Sequence, residues 1–324
     1  MVPVQTHFPD VVYHYTSMDT LLKIVESGSV WATNIRYLND VLERRHCLDE
    51  VRRFMSAPPH GRDRAKLLSL LDENEENEKA FSYLPFVASF SEERDSLSQW
   101  RSYCPGGNGV SIGFRTESLL KGFVGDPKEA GNPSDGKPKR KVIYLPPTVS
   151  FGPVEYLGKD NRAQIDQLLT RAMIEAEKME INQRDADDSW GESDEWDEDD
   201  LLYRAIDKYA SMTKHFSFAS ENEYRLLATT MGGNDKSIKY RSSSSTLIPY
   251  IPIGVPNPKK LLTDPEGRQN VLLRSSSLTP YFISSVTIGP TPHLELSADA
   301  LRAFFLGRRL GVEIRESIVP FRSL

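Results

Sequence analysis

Short apolar runs, cut by amphipathic stretches of unequal length, set the tightest limit on how this chain can fold. Residues 11–15, 30–33, 86–90, 110–114, 224–229, 246–253, 286–288 and 312–314 read as strands. Each is a brief run of apolar, β-branched or aromatic residues closed by polar, Gly or Pro positions. Between them, residues 16–27, 41–55, 64–84, 96–103, 163–180, 201–215 and 298–310 read as helices. In the first of these, Thr16 or Ser17 can cap the start and Asp19 sits in the first turn. Leu21, Leu22, Ile24 and Val25 give it an apolar face, and Gly28 stops it. Helix lengths and spacings vary too much for a repeated βαβ unit, which predicts an α+β fold of short mixed strands with flanking helices.

The chain has 324 residues, 39% hydrophobic and 27% charged, enough apolar material for a real core and expected to form one domain over 1–324. It contains no apolar run of the roughly 18 residues a membrane span needs, and its first ten residues lack a basic-then-apolar leader. Cys47 and Cys104 have neither zinc-type nor Cys-x-x-Cys spacing, so no metal is expected. These features predict a cytoplasmic protein that does not engage membranes. The net charge is −6, but ten acidic residues and no basic one lie between Asp185 and Asp200, leaving about +4 on the rest. That balance suits a phosphate-bearing ligand and is far too weak to claim nucleic acid. Residues 125–141, rich in Gly, Pro, Asp and Lys, and residues 183–200 read as insertions. The acidic run 185–200 is a solvated surface loop, or a segment that uses Trp190 and Trp196 to bind a partner protein or mask the chain itself.

No Gly-x-x-x-x-Gly-Lys-Ser/Thr loop, His-Glu-x-x-His helix or Gly-x-Ser-x-Gly elbow is present. Gly107-Asn108-Gly109 leads into a strand rather than a helix, which excludes a Rossmann turn. Three segments remain. In Tyr13-His14-Tyr15-Thr16, His14 lies where a strand meets a helix, either as a chemical group or tied to a backbone carbonyl. In Ser89-Phe90-Ser91-Glu92, strand alternation puts Ser89 and Ser91 on one face, to orient a ligand or to cap the next helix. Trp100 and Tyr103 follow three residues apart on one helix face, as core or as a stacking platform. In Glu221-Asn222-Glu223-Tyr224-Arg225, two glutamates lead into a strand. Close carboxylates raise one pKa and leave one group able to hold a proton, unless both are solvated or Glu223 pairs with Arg225 or Arg101.

These segments, with Asn39-Asp40-x-x-Glu43, Ser98-x-Trp100-Arg101-x-Tyr103, Ile288-Gly289-Pro290 and Val319-Pro320-Phe321-Arg322, resemble the bacterial domain of unknown function 2971 (DUF2971) family along nearly the whole chain. That family in turn resembles, more distantly, the ADP-ribosyltransferase superfamily. There a split β core carries an Arg or His on its first strand, a Ser-x-Ser or Tyr on a middle strand, and a Glu, often Glu-x-Glu, near a later one. His14, Ser89-x-Ser91 and Glu221-x-Glu223 follow that order, while Trp100, Tyr103 and the long helices after residue 163 depart from the minimal core.

The resemblance implies an ADP-ribosyltransferase-like fold and an enzyme that consumes NAD as a transferase or glycohydrolase, in bacterial conflict as a toxin or anti-phage defence effector. Its chemistry suits the residue types, because cleavage of the nicotinamide–ribose bond builds positive charge on the sugar. Glu223 would bond the ribose 2′-hydroxyl and stabilise that charge, and Glu221 would position or deprotonate an acceptor, protein or nucleic acid. His14 would hold the ribose hydroxyls alongside Ser89 and Ser91. Tyr15, Trp100 or Tyr103 would stack on nicotinamide, and Arg36 or Arg101 would meet the pyrophosphate. Two other classes stand beside it: a nucleotide-binding or sensing module without chemistry, and a nuclease with a metal held by Asp40, Glu43 and Glu223.

Overall fold

The computed structural model describes residues 8–38, 41–57, 68, 69, 71, 85–104, 109–123, 148–186, 198–229, 237–243, 245–254 and 279–320. The fold is mixed α+β: a ten-stranded mixed sheet with helices on its faces, and a separate two-stranded ribbon. Strands β1 (Val11–Ser17), β2 (Ser29–Asn34), β3 (Phe86–Ser91) and β4 (Gly109–Arg115) come first, then β5 (Thr148–Pro153). Strands β8 (Glu223–Thr229), β9 (Lys239–Ser242), β10 (Leu247–Gly254), β11 (Thr279–Ile288) and β12 (Leu310–Glu316) complete the sheet. Among the described residues, only β11 and β12 pair in parallel within it. The ribbon joins β6 (Glu155–Leu157) to β7 (Thr213–His215).

The path β12-β11-β4-β1-β3-β2-β10-β9 hides a split. On one edge β3 pairs with β8 from Phe86↔Ala228 to Ser91↔Glu223. On the other edge it meets β1 only at Tyr13↔Ser91 and β2 only at Thr33↔Val87 and Asn34↔Phe86. β1, fully paired with β4, and β2, paired with β10, therefore diverge beside residues 88–90 of β3 and leave a window in the sheet.

Helix α1 (Met18–Ser27) starts at Ser17, whose side chain accepts from the Thr20 N–H, and ends at Gly28 in the left-handed region (φ 64°). Its Leu21, Ile24 and Val25 pack on one sheet face against Val12, Ala88, Phe90 and Leu226. Leu119 of α4 (Thr116–Phe123) and Leu301 and Phe305 of α7 (Leu294–Gly307) cover the same face. A second apolar cluster joins α2 (Val41–Ser56), α5 (Arg162–Ala186) and α6 (Glu198–Ala210), through residues such as Val51, Leu168 and Ile206. The opposite sheet face carries α3 (Leu97–Tyr103), whose Trp100 packs on Tyr15.

The strand and helix expectations hold in type over most of the described chain, with informative exceptions. The helix expected over 201–215 ends at Ala210, because Thr213–His215 turns into β7 and pairs with β6. Strands β5, β6 and β9 and helix α4 were not expected, being short or weakly apolar and fixed by their neighbours. The insertion at 125–141 and most of the helix expected at 64–84 lie outside the described residues. Of 183–200, residues 183–186 finish α5 and 198–200 begin α6; the rest, including Trp190 and Trp196, lie outside.

Candidate functional site

A cavity of about 210 Å³ occupies the window between β1 and β2. β1 contributes Tyr13, His14 and Tyr15; β3 contributes Ala88, Ser89 and Phe90; α3 contributes Gln99 and Tyr103. Trp31 and Thr33 come from β2, Arg241 from β9, and Glu221 and Glu223 from the turn and start of β8. His14, Tyr15, Ser89, Tyr103, Glu221 and Glu223, drawn from segments far apart in sequence, thus share one lining.

His14 is held by the split itself. Because β3 lacks a strand neighbour beside residues 88–90 on the edge away from β8, the Ser89 carbonyl is open to another donor, and His14 Nδ1 donates to it at 2.8 Å. A carbonyl can only accept, so Nδ1 carries the proton and Nε2 is left as the ring's acceptor. Burial lowers the His14 pKa; the Ser89 bond opposes this and the nearby Arg241 charge adds to it. The ring is therefore neutral near pH 7 and accepts rather than donates at Nε2. His14 also sits 5.7 Å from the Phe90 ring.

The glutamates form part of a buried charge cluster. Glu223 is 3% exposed, and its Oε1 accepts from Arg225 Nε at 2.7 Å. Its Oε2 lies 3.0 Å from Lys214 Nζ and 3.3 Å from Arg225 Nη2. Lys214, itself 1% exposed, reaches Glu221 Oε2 at 2.7 Å and so bridges both carboxylates. The Glu223 N–H donates to Tyr156 Oη at 2.8 Å, and Arg225 Nη1 donates to the Ser211 carbonyl at 2.8 Å. Burial alone would raise the Glu223 pKa, but the Arg225 and Lys214 charges and the bonds from Arg225 and Ser89 hold it below the usual carboxylate range. Of the alternatives the sequence left open, the structure shows the pairing of Glu223 with Arg225, with Lys214 as a second cation. Near neutral pH Glu223 is a carboxylate, suited to stabilising positive charge or accepting a hydroxyl, not to donating a proton.

Four expected ligand residues stand apart from the lining. Ser91 is buried beneath it, donating to the Glu221 carbonyl at 2.7 Å and accepting from the Glu93 N–H at 3.1 Å, so it anchors the glutamate turn. Trp100 is fully buried, donates to Asp95 Oδ1 at 2.7 Å and meets Tyr15 edge-on at 4.7 Å, which makes it a core residue and not a platform. Arg36 and Arg101 are exposed and line no part of the cavity. Tyr15 does line it, but its hydroxyl donates to the Glu93 carbonyl at 2.7 Å and accepts from the Ser96 N–H at 2.9 Å. Burial pushes the Cys47 and Cys104 thiols up to about 12, so neither offers a thiolate.

Lys214 and Arg241 were missed by sequence reading. Lys214 lay in an expected helix, and Arg241 in a polar stretch that reads as surface. Asp40 and the Glu43 side chain lie outside the described residues. Both Glu223 oxygens face cations, and no cluster of three His, Cys, Asp or Glu groups suited to a metal occurs among the described residues. No helix among the described residues is long and apolar enough to cross a membrane.

The model of a family described as a protein of unknown function (DUF2971) matches residues 99–226, from α3 to β8, supporting the family resemblance over that span. Glu221, Glu223 and Arg225 fall within the match; His14 and Arg241 fall outside it. No curated protein and no solved structure matches the chain.

Proposed function

We propose that this chain is an NAD-consuming enzyme with an ADP-ribosyltransferase-like arrangement, acting as a transferase or as an NAD glycohydrolase. The observation that carries the reading is the meeting of His14, Ser89 and Glu223, from three distant segments, in one cavity where the sheet splits. The bond between ribose C1′ and the nicotinamide nitrogen breaks, its electrons leaving with neutral nicotinamide. An acceptor hydroxyl or water then forms the new bond to C1′ and gives its proton to the Glu221 carboxylate, which passes it to solvent. The Glu223 carboxylate stabilises the cationic sugar. Neutral His14 Nε2 accepts from a ribose hydroxyl. Glu221, beside Lys214, faces the acceptor. At about 210 Å³ the cavity falls below the roughly 300–1,000 Å³ that encloses a drug-sized ligand, so it suits one nucleoside end of the dinucleotide with its adjoining phosphate, the remainder lying outside. A role as toxin or defence effector belongs to the same reading.

The engagement of both Glu223 oxygens by Arg225 and Lys214 favours a second reading, a nucleotide-binding module without chemistry. One assay separates the two. Purified protein is incubated with NAD and protein, nucleic-acid or no acceptor, and nicotinamide is measured beside NAD binding. The enzyme reading expects release that falls about 100-fold in Glu223→Gln while binding persists. Saturable binding without release leaves the module, and neither binding nor release overturns both.

A further inference from the structure

Arg241 is a half-buried cation that shares this lining with Glu221 and Glu223 but is in ion-pair contact with no described acid. It lies on the short strand β9, in register with Ile248 of β10, and its side chain crosses β10 to β2. There Nη2 donates to Thr33 Oγ1 at 3.1 Å, and the guanidinium stands 5.8 Å from the centroid of the Trp31 ring. Its Nε is buried without a hydrogen-bond partner. A guanidinium has five N–H donors in a fixed planar fork, and withdrawing it from water is unfavourable unless those donors are satisfied. Among the described residues no carboxylate lies in ion-pair contact with it, in contrast with Arg44 and Arg225, whose guanidiniums meet Asp207 and Glu223. Burial accordingly lowers the Arg241 pKa. Trp31 in turn lies 4.8 Å from Tyr250, so an aromatic pair backs the cation.

We propose that Arg241, with Thr33 and Trp31, forms an anion-binding subsite of the His14–Glu223 cavity that takes the phosphate of a nucleotide. The subsite deepens the nucleotide reading given above and moves the phosphate contact away from Arg36 and Arg101, which lie outside the lining. A phosphate offers the fork two oxygens at once and supplies an acceptor for Nε. The lining then divides its work: Arg241 holds the anionic part of the ligand while His14 and Glu223 face hydroxyl or cationic parts.

The test is a calorimetric titration of the full chain with AMP, adenosine and inorganic phosphate, for the wild type, Arg241→Gln and Arg241→Lys. AMP should bind wild type about tenfold or more tighter than adenosine. Arg241→Gln should remove that preference while leaving adenosine unchanged, and Arg241→Lys, which keeps charge but loses the fork, should restore only part of it. Phosphate binding as tightly as AMP, with the same dependence on Arg241, assigns the subsite to the bare anion. Equal binding of AMP and adenosine to wild type, no binding of any probe, or a preference that survives Arg241→Gln overturns the proposal. Its failure is distinct from failure of the enzyme reading. NAD turnover with an unchanged KM in Arg241→Gln sinks the subsite alone, whereas Arg241-dependent AMP binding without NAD turnover sinks the enzyme alone.

Discussion

Lys214 carries a full charge into a place almost closed to water, and only its position between Glu221 and Glu223 makes that tolerable. Removing one member of such a buried set leaves the others uncompensated, which costs about 3–5 kcal/mol. Lys214→Met is therefore expected to destabilise the fold by about that amount in urea denaturation; a loss under about 1 kcal/mol would mean the cluster relaxes or admits water. Ser91 provides a contrast. It sits one cross-strand step from Glu223, yet both of its bonds go to backbone groups of the adjoining turns. Ser91→Ala should loosen Glu221 and lower stability by about 1–3 kcal/mol without changing nucleotide affinity per folded molecule, whereas Ser89→Ala should change affinity. Equal effects of the two on affinity would contradict the separation of anchor from lining.

Several of the motifs that carried the family resemblance converge on one packing unit. Trp100 of α3 donates to Asp95 Oδ1, and Asp95 also accepts from Ser317 Oγ at 2.6 Å and, through Oδ2, from the Ile318 N–H at 2.9 Å. Gly289 is small because a Cβ there would stand 2.9 Å from the Trp100 ring and 3.0 Å from the Gly109 carbonyl. At Gly109 a Cβ would meet Cys104 Sγ at 2.1 Å. Helix α3, the Ile288-Gly289-Pro290 turn and the segment after β12 are thus clamped together beside Tyr15. Asp95→Ala is expected to leave the Trp100 N–H without its acceptor, at about 1–3 kcal/mol, and to speed amide exchange in residues 317–319. Unchanged exchange there would show the clamp to be held by apolar contact alone. Gly109→Ala should cost about 1–3 kcal/mol or more by forcing α3 outward, read as a lower melting temperature.

Across the whole molecule, the pH response should come in stages. The folded state disfavours the charged form of His14, so as pH falls through 6.5, the ordinary value for a histidine, the unfolded chain takes up a proton that the folded chain resists, and stability declines. Glu223 has the opposite shift. Its contribution is fully present above 4.5 and is lost as pH falls below that value towards its lower folded pKa. Melting temperature should therefore begin to drop as pH falls below about 6.5, less so in His14→Gln, and drop again below about pH 4.5 in both. Identical profiles for His14→Gln and wild type across the first interval would show that other groups govern it.

The sequence by itself determined the α+β class, most element positions and the order of His14, Ser89 and Glu223. Periodicity, caps such as Ser17 and stops such as Gly28 are local physics, written in consecutive residues. It also marked Trp100, Tyr103 and Glu221-x-Glu223 as unusual, but could not divide packing from ligand contact. That division is tertiary. Trp100 became core because Asp95 and Gly289 close around it, and the Glu223 pKa is held down because Lys214 and Arg225 arrive from β7 and β8. The window exists because β1 and β2 leave β3 from opposite ends, a matter of register between strands more than fifty residues apart in sequence. Arg241 lay in a stretch with no apolar rhythm, and its place in the cavity follows only from the pairing of β9 with β10 and of β10 with β2. Charge compensation and cross-strand register are long-range properties, and no window of neighbouring residues contains them.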